Sequence, residues 1–156
     1  MMTTSIENNV PRIFLDTNVI LDALTMRDNS YQPSKELLRY IVSGQAKGYI
    51  CSKQITDIHY IFRKHYSDKN RAKEKIKDIA TLFEILPLMK GDILACLNKK
   101  DIDFEDAILC EVAKVNMIKI IVTNNPKHFG EWPLMILTPQ QCLDLFQVTY
   151  SHHLKK

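Results

Sequence analysis

At 156 residues the chain is long enough for one domain with a real core and short for two. A composition of 46% hydrophobic and 25% charged residues excludes a disordered or fibrous chain, and no apolar run approaches the ~20 residues of a membrane helix. Lys and Arg number 21 against 18 Asp and Glu, and a net charge of +3 is too small to argue for a nucleic-acid partner without regard to where the charge lies.

In chain order, residues 1–11 form a polar lead-in that ends at Pro11 and lacks the basic-then-apolar pattern of a secretory signal. The first strand is predicted over residues 12–15, with a helix after it to Thr25 and a turn-rich patch, Arg27-Asp28-Asn29-Ser30. Pro33 opens a second helix, with Leu37, Leu38, Ile41 and Val42 at helical spacing; Gly44 to Gly48 reads as its stop and the following turn. Tyr49-Ile50-Cys51 is a short strand, and Ser52 is positioned to cap a helix carrying Ile55, Ile58, Ile61 and Phe62. The next helix, residues 69–82, places Ala72, Ile76, Ile79, Ala80 and Phe83 on one face. A strand at Glu84-Ile85-Leu86, a short helix over 91–98, a helix over 103–116 and an apolar strand over 118–122 follow. The last strand is Leu134-Met135-Ile136-Leu137; Thr138 then caps a helix over 139–146, with Pro139 at its first position, and the tail is polar. Short apolar strands alternating with amphipathic helices predict βαβ units and a mostly parallel sheet covered on both faces, an α/β/α sandwich. Right-handed crossovers then bring the C-terminal ends of the parallel strands to one edge. The four cysteines (Cys51, Cys96, Cys110, Cys142) are widely spaced with no CxxC pair, as expected of reduced, mostly buried thiols in a cytosolic protein.

That edge collects the chemistry. Asp16 follows the first strand, Asp57 lies in the first two turns of the helix after the second, and Asp103 and Asp106 stand at i and i+3 in the first turn of a later helix. Thr123-Asn124-Asn125 follows the strand over 118–122. Several carboxylates gathered there repel one another unless a cation joins them, and hard oxygen ligands suit Mg²⁺ or Mn²⁺. Such ions polarise a phosphodiester and lower the pKa of a bound water, the basis of a metal-dependent nuclease. Each residue also has a plainer reading that stays open at this point. Asp16 and Asp103 are favoured helix N-caps, Asp106 suits the helix dipole, Asp57 suits an exposed helix face, and Asn125-Pro126 suits an ordinary turn.

Ile13-Phe14-Leu15-Asp16-Thr17-Asn18-Val19-Ile20-Leu21-Asp22 resembles the opening motif of PIN domains, the nuclease fold of VapC-like toxins. Asp103-Phe104-Glu105-Asp106-Ala107, then Ala113, then Ile120-Ile121-Val122-Thr123-Asn124-Asn125-Pro126-Lys127-His128-Phe129 resembles the C-terminal half of the same family, in the subgroup with a DFEDA signature. The resemblance covers residues 12–146. It implies a polar lead-in (1–11), a PIN-like nuclease domain (12–147) and a polar tail (148–156). It implies Asp16, Asp57 and Asp106 as metal-binding and catalytic acids, Asp103 as a companion of Asp106 in catalysis, and Asn125 as a further metal ligand. Thr17, Asn18, Thr123 and Asn124 are implied to shape the substrate site. The implied activity is a cytoplasmic, Mg²⁺- or Mn²⁺-dependent endoribonuclease that cuts single-stranded RNA to leave a 5′ phosphate and a 3′ hydroxyl. The implied partners are that RNA, a cognate antitoxin and a second copy of the chain, with no membrane. His128 stands where the subgroup often carries an aspartate, and Asp57 where it usually carries a glutamate or a polar residue.

Residues 63–78 carry seven Lys or Arg against three acids, and Lys69, Lys73 and Lys77 form one helical stripe suited to RNA phosphates, or simply to solvent. Tyr60 and Tyr66 nearby are suited to base stacking or to packing on protein. His152-His153 with Lys155-Lys156 is too short and loose for a metal site. The rival function is a degenerate PIN-like module that binds RNA or protein without cutting, and His128 is the residue that favours it. A phosphatase on a similar sheet lacks its Asp-x-Asp pair here, because position 18 is Asn.

Overall fold

The computed structural model describes residues 10–27 and 31–153. Most of the lead-in, residues 28–30 of the turn-rich patch and the basic end of the tail lie outside the described residues. Five strands form one fully parallel sheet in the order β3-β2-β1-β4-β5: β1 (Arg12–Leu15), β2 (Lys47–Cys51), β3 (Glu84–Leu86), β4 (Ile120–Val122) and β5 (Met135–Leu137). The helices are α1 (Thr17–Thr25), α2 (Tyr31–Val42), α3 (Ser52–Tyr66), α4 (Lys69–Leu82), α5 (Lys90–Leu97), α6 (Phe104–Val115) and α7 (Pro139–His153).

The central strand shows why three layers form. Ile13, Phe14 and Leu15 have no exposed surface, so β1 is buried on both faces, as a central parallel strand must be. Ile13 and Leu15 join a core shared with α1, α2, α3, α4 and α7, through Ile20, Leu37, Ile58, Ile79 and Phe146. Phe14 turns the other way, into a second core with Cys51 and Ile121, built on Cys96 of α5 and on Ile108 and Val112 of α6. The α/β/α architecture predicted from periodicity is the one observed. All four cysteines are buried and free. Among the described residues no helix is long and apolar enough to cross a membrane.

Several boundaries differ from expectation for definite reasons. Gly48 is in β2, not in a turn: a Cβ there would lie 2.7 Å from the Phe83 ring and 2.9 Å from Ile41 Cδ1, so these side chains fill the space its own would take. Helix α2 starts at Tyr31 with Pro33 in its first turn, where a missing N–H costs nothing, and Val42 is 70% exposed rather than on its apolar face. Ser52 does not cap α3. Its hydroxyl accepts from Leu88 N (3.2 Å), and Gln54 Oε1 instead takes the Cys51 N–H (2.7 Å). Ala80 is exposed, leaving Ala72 and Ile79 as the buried positions of α4. The strand predicted from 118 begins at Ile120, residues 126–129 form a 3-10 turn rather than a simple turn, and α7 runs on to His153. Thr138 does cap α7: its Oγ1 accepts from Gln141 N (3.2 Å), while Gln141 Oε1 accepts from Thr138 N (2.9 Å).

Candidate active site

With every strand parallel, the C-terminal ends of β1, β2 and β4 deliver residues 16, 52 and 123 to one edge. Asp16 is still tied to the sheet there, its N–H donating to Val122 O (2.9 Å). It occupies the N-cap position of α1 but makes no side-chain capping bond. Its Oδ2 accepts instead from the Thr123 hydroxyl (2.8 Å), on a residue with no exposed surface. Thr123 Oγ1 in turn accepts from Asn125 N (3.1 Å), so the chain leaving β4 orients the hydroxyl that orients Asp16.

Gln54 fixes the neighbouring strand ends. It is 1% exposed, donates through Nε2 to Leu15 O (2.9 Å) and Thr17 Oγ1 (3.1 Å), and accepts from Cys51 N. Each of these is a buried polar group that would be costly to leave unpaired. A second tie holds the far side: Asn18 Oδ1 accepts from Asn124 N (3.3 Å), and Asn124 Nδ2 donates to the buried Asp22 carboxylate, which also pairs with Arg27 (3.4 Å). Thr17, Asn18, Thr123 and Asn124 thus serve as the framework of this edge.

Asp16, Thr17, Lys53, Gln54, Asp57, Glu105, Asp106 and Leu109 line a cleft of about 260 Å³. It brings together the three acids singled out from the sequence. Burial first, and then the charges of Asp16 and Asp103, push the Asp106 carboxyl up to about 6, with His128 pulling the other way. Asp16 is also held above the usual carboxylate range by burial, opposed by the Thr123 hydroxyl, the Thr17 backbone and the Lys53 charge. Asp57 is exposed, and its Oδ2 lies 3.3 Å from Lys53 Nζ.

The other expected residues stand outside that lining. Asp103 caps α6, its Oδ1 accepting from Glu105 N (2.9 Å) and Asp106 N (3.3 Å), so it reaches Asp106 by charge and by backbone placement. Asn125 is exposed at the start of the 3-10 turn. Lys69, Lys73 and Lys77 are exposed on α4. Tyr66 packs against Phe62, His65 and the Arg71 guanidinium, and Tyr60 is 59% exposed with Lys64 Nζ 4.4 Å from its ring centre. Lys53, Gln54 and Glu105 complete the cleft without having been foreseen. Lys53 sits four residues before Asp57, one helical turn away on the same face, and Glu105 is the middle acid of the Asp103–Asp106 run, so spacing alone held the signal for both.

The donor set is hard oxygen, and the Asp16 charge helps to raise Asp106, the crowding of negative charge that a divalent cation relieves. Among the described residues no three Asp, Glu, His or Cys side chains are grouped closely enough to hold a metal ion as they stand.

A sequence model of the PIN domain family matches residues 12–127. The chain belongs to the PIN domain family. Ribonuclease VapC1 of Aquifex aeolicus (strain VF5) is 27% identical to this PIN domain over 138 residues, 85% of this chain and 94% of that protein. Among solved structures, a toxin–antitoxin complex from Klebsiella pneumoniae superposes with a TM-score of 0.60 at 19% identity, over 81% of this chain and 97% of that one. VapBC2 of Rickettsia felis, solved bound to a DNA fragment from its promoter, gives 0.59 at 20% identity, over 80% and 96%. These two share the fold of this PIN domain.

Proposed function

We propose that this PIN domain is an endoribonuclease that hydrolyses phosphodiester bonds in single-stranded RNA, uses Mg²⁺ or Mn²⁺, and is the toxin of a toxin–antitoxin pair in the cytoplasm. The observation that carries the reading is the pairing of Asp16 with Asp106, two partly buried carboxylates raised above their usual range in one cleft at the sheet's C-terminal edge. Carboxylates perturbed by burial and by a neighbouring charge, set together in a cleft, are what a functional site requires. The name of the Aquifex relative and the toxin–antitoxin complexes among the structural neighbours support the substrate and the antitoxin partner.

Asp16 and Asp106 would hold the cation, with Asp57 at the rim and Asn125 at the end of β4 as further oxygen donors. When bound, the cation supplies Lewis acidity, lowering the pKa of a water and stabilising the departing oxygen. The protein's own share is positioning. The Thr123 hydroxyl fixes the Asp16 rotamer, Gln54 holds β1 and β2 in register at the cleft floor, and Asp103 sets the first turn of α6 so that Asp106 faces inward.

Asp16→Asn and Asp106→Asn are expected to abolish cleavage of a labelled single-stranded RNA while leaving the circular dichroism spectrum unchanged, and EDTA is expected to silence the wild type. Full Mg²⁺-dependent cleavage by Asp16→Asn would sink the assignment. A second reading, an RNA- or protein-binding module without activity, is favoured by His128 in place of a carboxylate beside Asp106. RNA binding with no cleavage at any divalent-ion concentration would establish it instead.

A further inference from the structure

The acidic cleft contains a cation of its own. Lys53 is the single Lys or Arg in its lining, in the first turn of α3. Its Nζ lies 3.3 Å from Asp57 Oδ2 on the same helix and 3.3 Å from Glu105 Oε1 on α6, so one ammonium joins two walls of the cleft. The Lys53 side chain is 27% exposed and the Asp57 and Glu105 side chains 50% and 71%; what sets it apart from the surface pairs Arg39–Glu36 and Lys75–Asp78 is that it joins two helices across the cleft, where those pairs lie within one helix. Burial by itself would lower the Lys53 pKa. The Glu105 and Asp57 charges outweigh that and raise it, so the ammonium is firmly protonated in place, and its charge also reaches Asp16.

An ammonium and a divalent cation a few ångströms apart repel one another, and both draw on the same two carboxylates. The charge that Asp57 and Glu105 share with Lys53 is charge they do not give in full to the ion. We infer that Lys53 is a tethered counter-ion: it occupies Asp57 and Glu105 while the divalent ion is absent, is displaced when the ion binds, and thereby sets the cleft's cation affinity. It is a positioning residue for the two carboxylates, and the inference rests on the cation-binding reading above. The design keeps a cluster of carboxylates folded without a metal and makes ion entry an exchange rather than a simple addition.

Titrating Mn²⁺ into the purified full chain without RNA, followed by electron paramagnetic resonance of the free ion, tests this directly. Lys53→Met is expected to bind Mn²⁺ roughly tenfold or more tightly than wild type, and Lys53→Arg, which keeps the charge, to bind like wild type. Lys53→Gln replaces the Met variant if that variant fails to fold. Binding that appears only once the charge is removed supports the inference as well. Equal or weaker affinity without the charge overturns it, and so does the absence of binding in every variant. Asp16→Asn run in parallel separates the two readings: Mn²⁺ binding that Asp16→Asn leaves untouched counts against the proposed cation site itself, whatever Lys53 does.

Discussion

Asp106 is the residue whose environment makes the sharpest statement. Its carboxyl is raised from 3.8 to about 6, by burial first and then by Asp16 and Asp103. A carboxylate with a raised folded-state pKa keeps a proton that the unfolded chain has already released between about pH 4 and 6. Its contribution to stability is therefore neutral below that window, falls as pH rises through it, and is an undiminished penalty above it. Asp106→Asn removes the penalty. In divalent-free buffer at pH 7.5 the variant is expected to be more stable by about 1–2 kcal/mol, after discount for partial solvent access. Thermal melts at pH 7.5 and pH 4 check it: a gain of the same size at both values would show that the carboxylate charge is not the cause. The same proton competes with any cation at Asp106, so ion binding should weaken as pH falls below about 6. At this scale the sequence was legible where an acid recurred at or near the start of a helix, as with Asp16, Asp57 and Asp106, which all line the cleft. It was silent on Gln54, because which of several polar residues in a helix's first turn faces inward depends on packing that one chain's pattern does not contain.

At the level of elements, β2 shows how tertiary contacts override a local signal. Gly44 and Gly48 bracket a stretch that reads as a turn, yet only Gly44 has a left-handed φ (75°). Gly48 is a strand residue whose bareness admits the Phe83 ring from the end of α4 and Ile41 from α2. Gly48→Ala is therefore expected to destabilise the protein by about 1–3 kcal/mol through overpacking, read as a lower urea midpoint with an unchanged m-value. An unchanged midpoint would mean that Phe83 gives way at little cost. Such close approaches are invisible in a single sequence, since the residue that demands the glycine lies outside the local window. By contrast, the Thr138 capping box and the Asp103 cap were readable, because both partners of each cap lie within one turn.

For the whole molecule, the parallel sheet was predictable from the alternation of strands and helices, and with it the convergence of acids on one edge. The role of the basic stripe was less so. Lys69, Lys73 and Lys77 are exposed on α4, and none of them lines the cleft. If they contact phosphates, replacing all three by Gln in an Asp16→Asn background should reduce the slope of log K against log salt for single-stranded RNA by about 2. An unchanged slope assigns the stripe to solvent. The hydrogen bond from Thr123 to Asp16 spans 107 positions of sequence, and that separation is also an interval of time. At roughly 5–20 residues per second of synthesis, Thr123 follows Asp16 from the ribosome by roughly 5–20 s. During that interval Asp16 has neither the hydroxyl that orients it nor its partner strand β4. A nascent chain, or one truncated before β4, therefore carries every residue that lines the cleft while it lacks the strand and the hydroxyl that fix Asp16 in place.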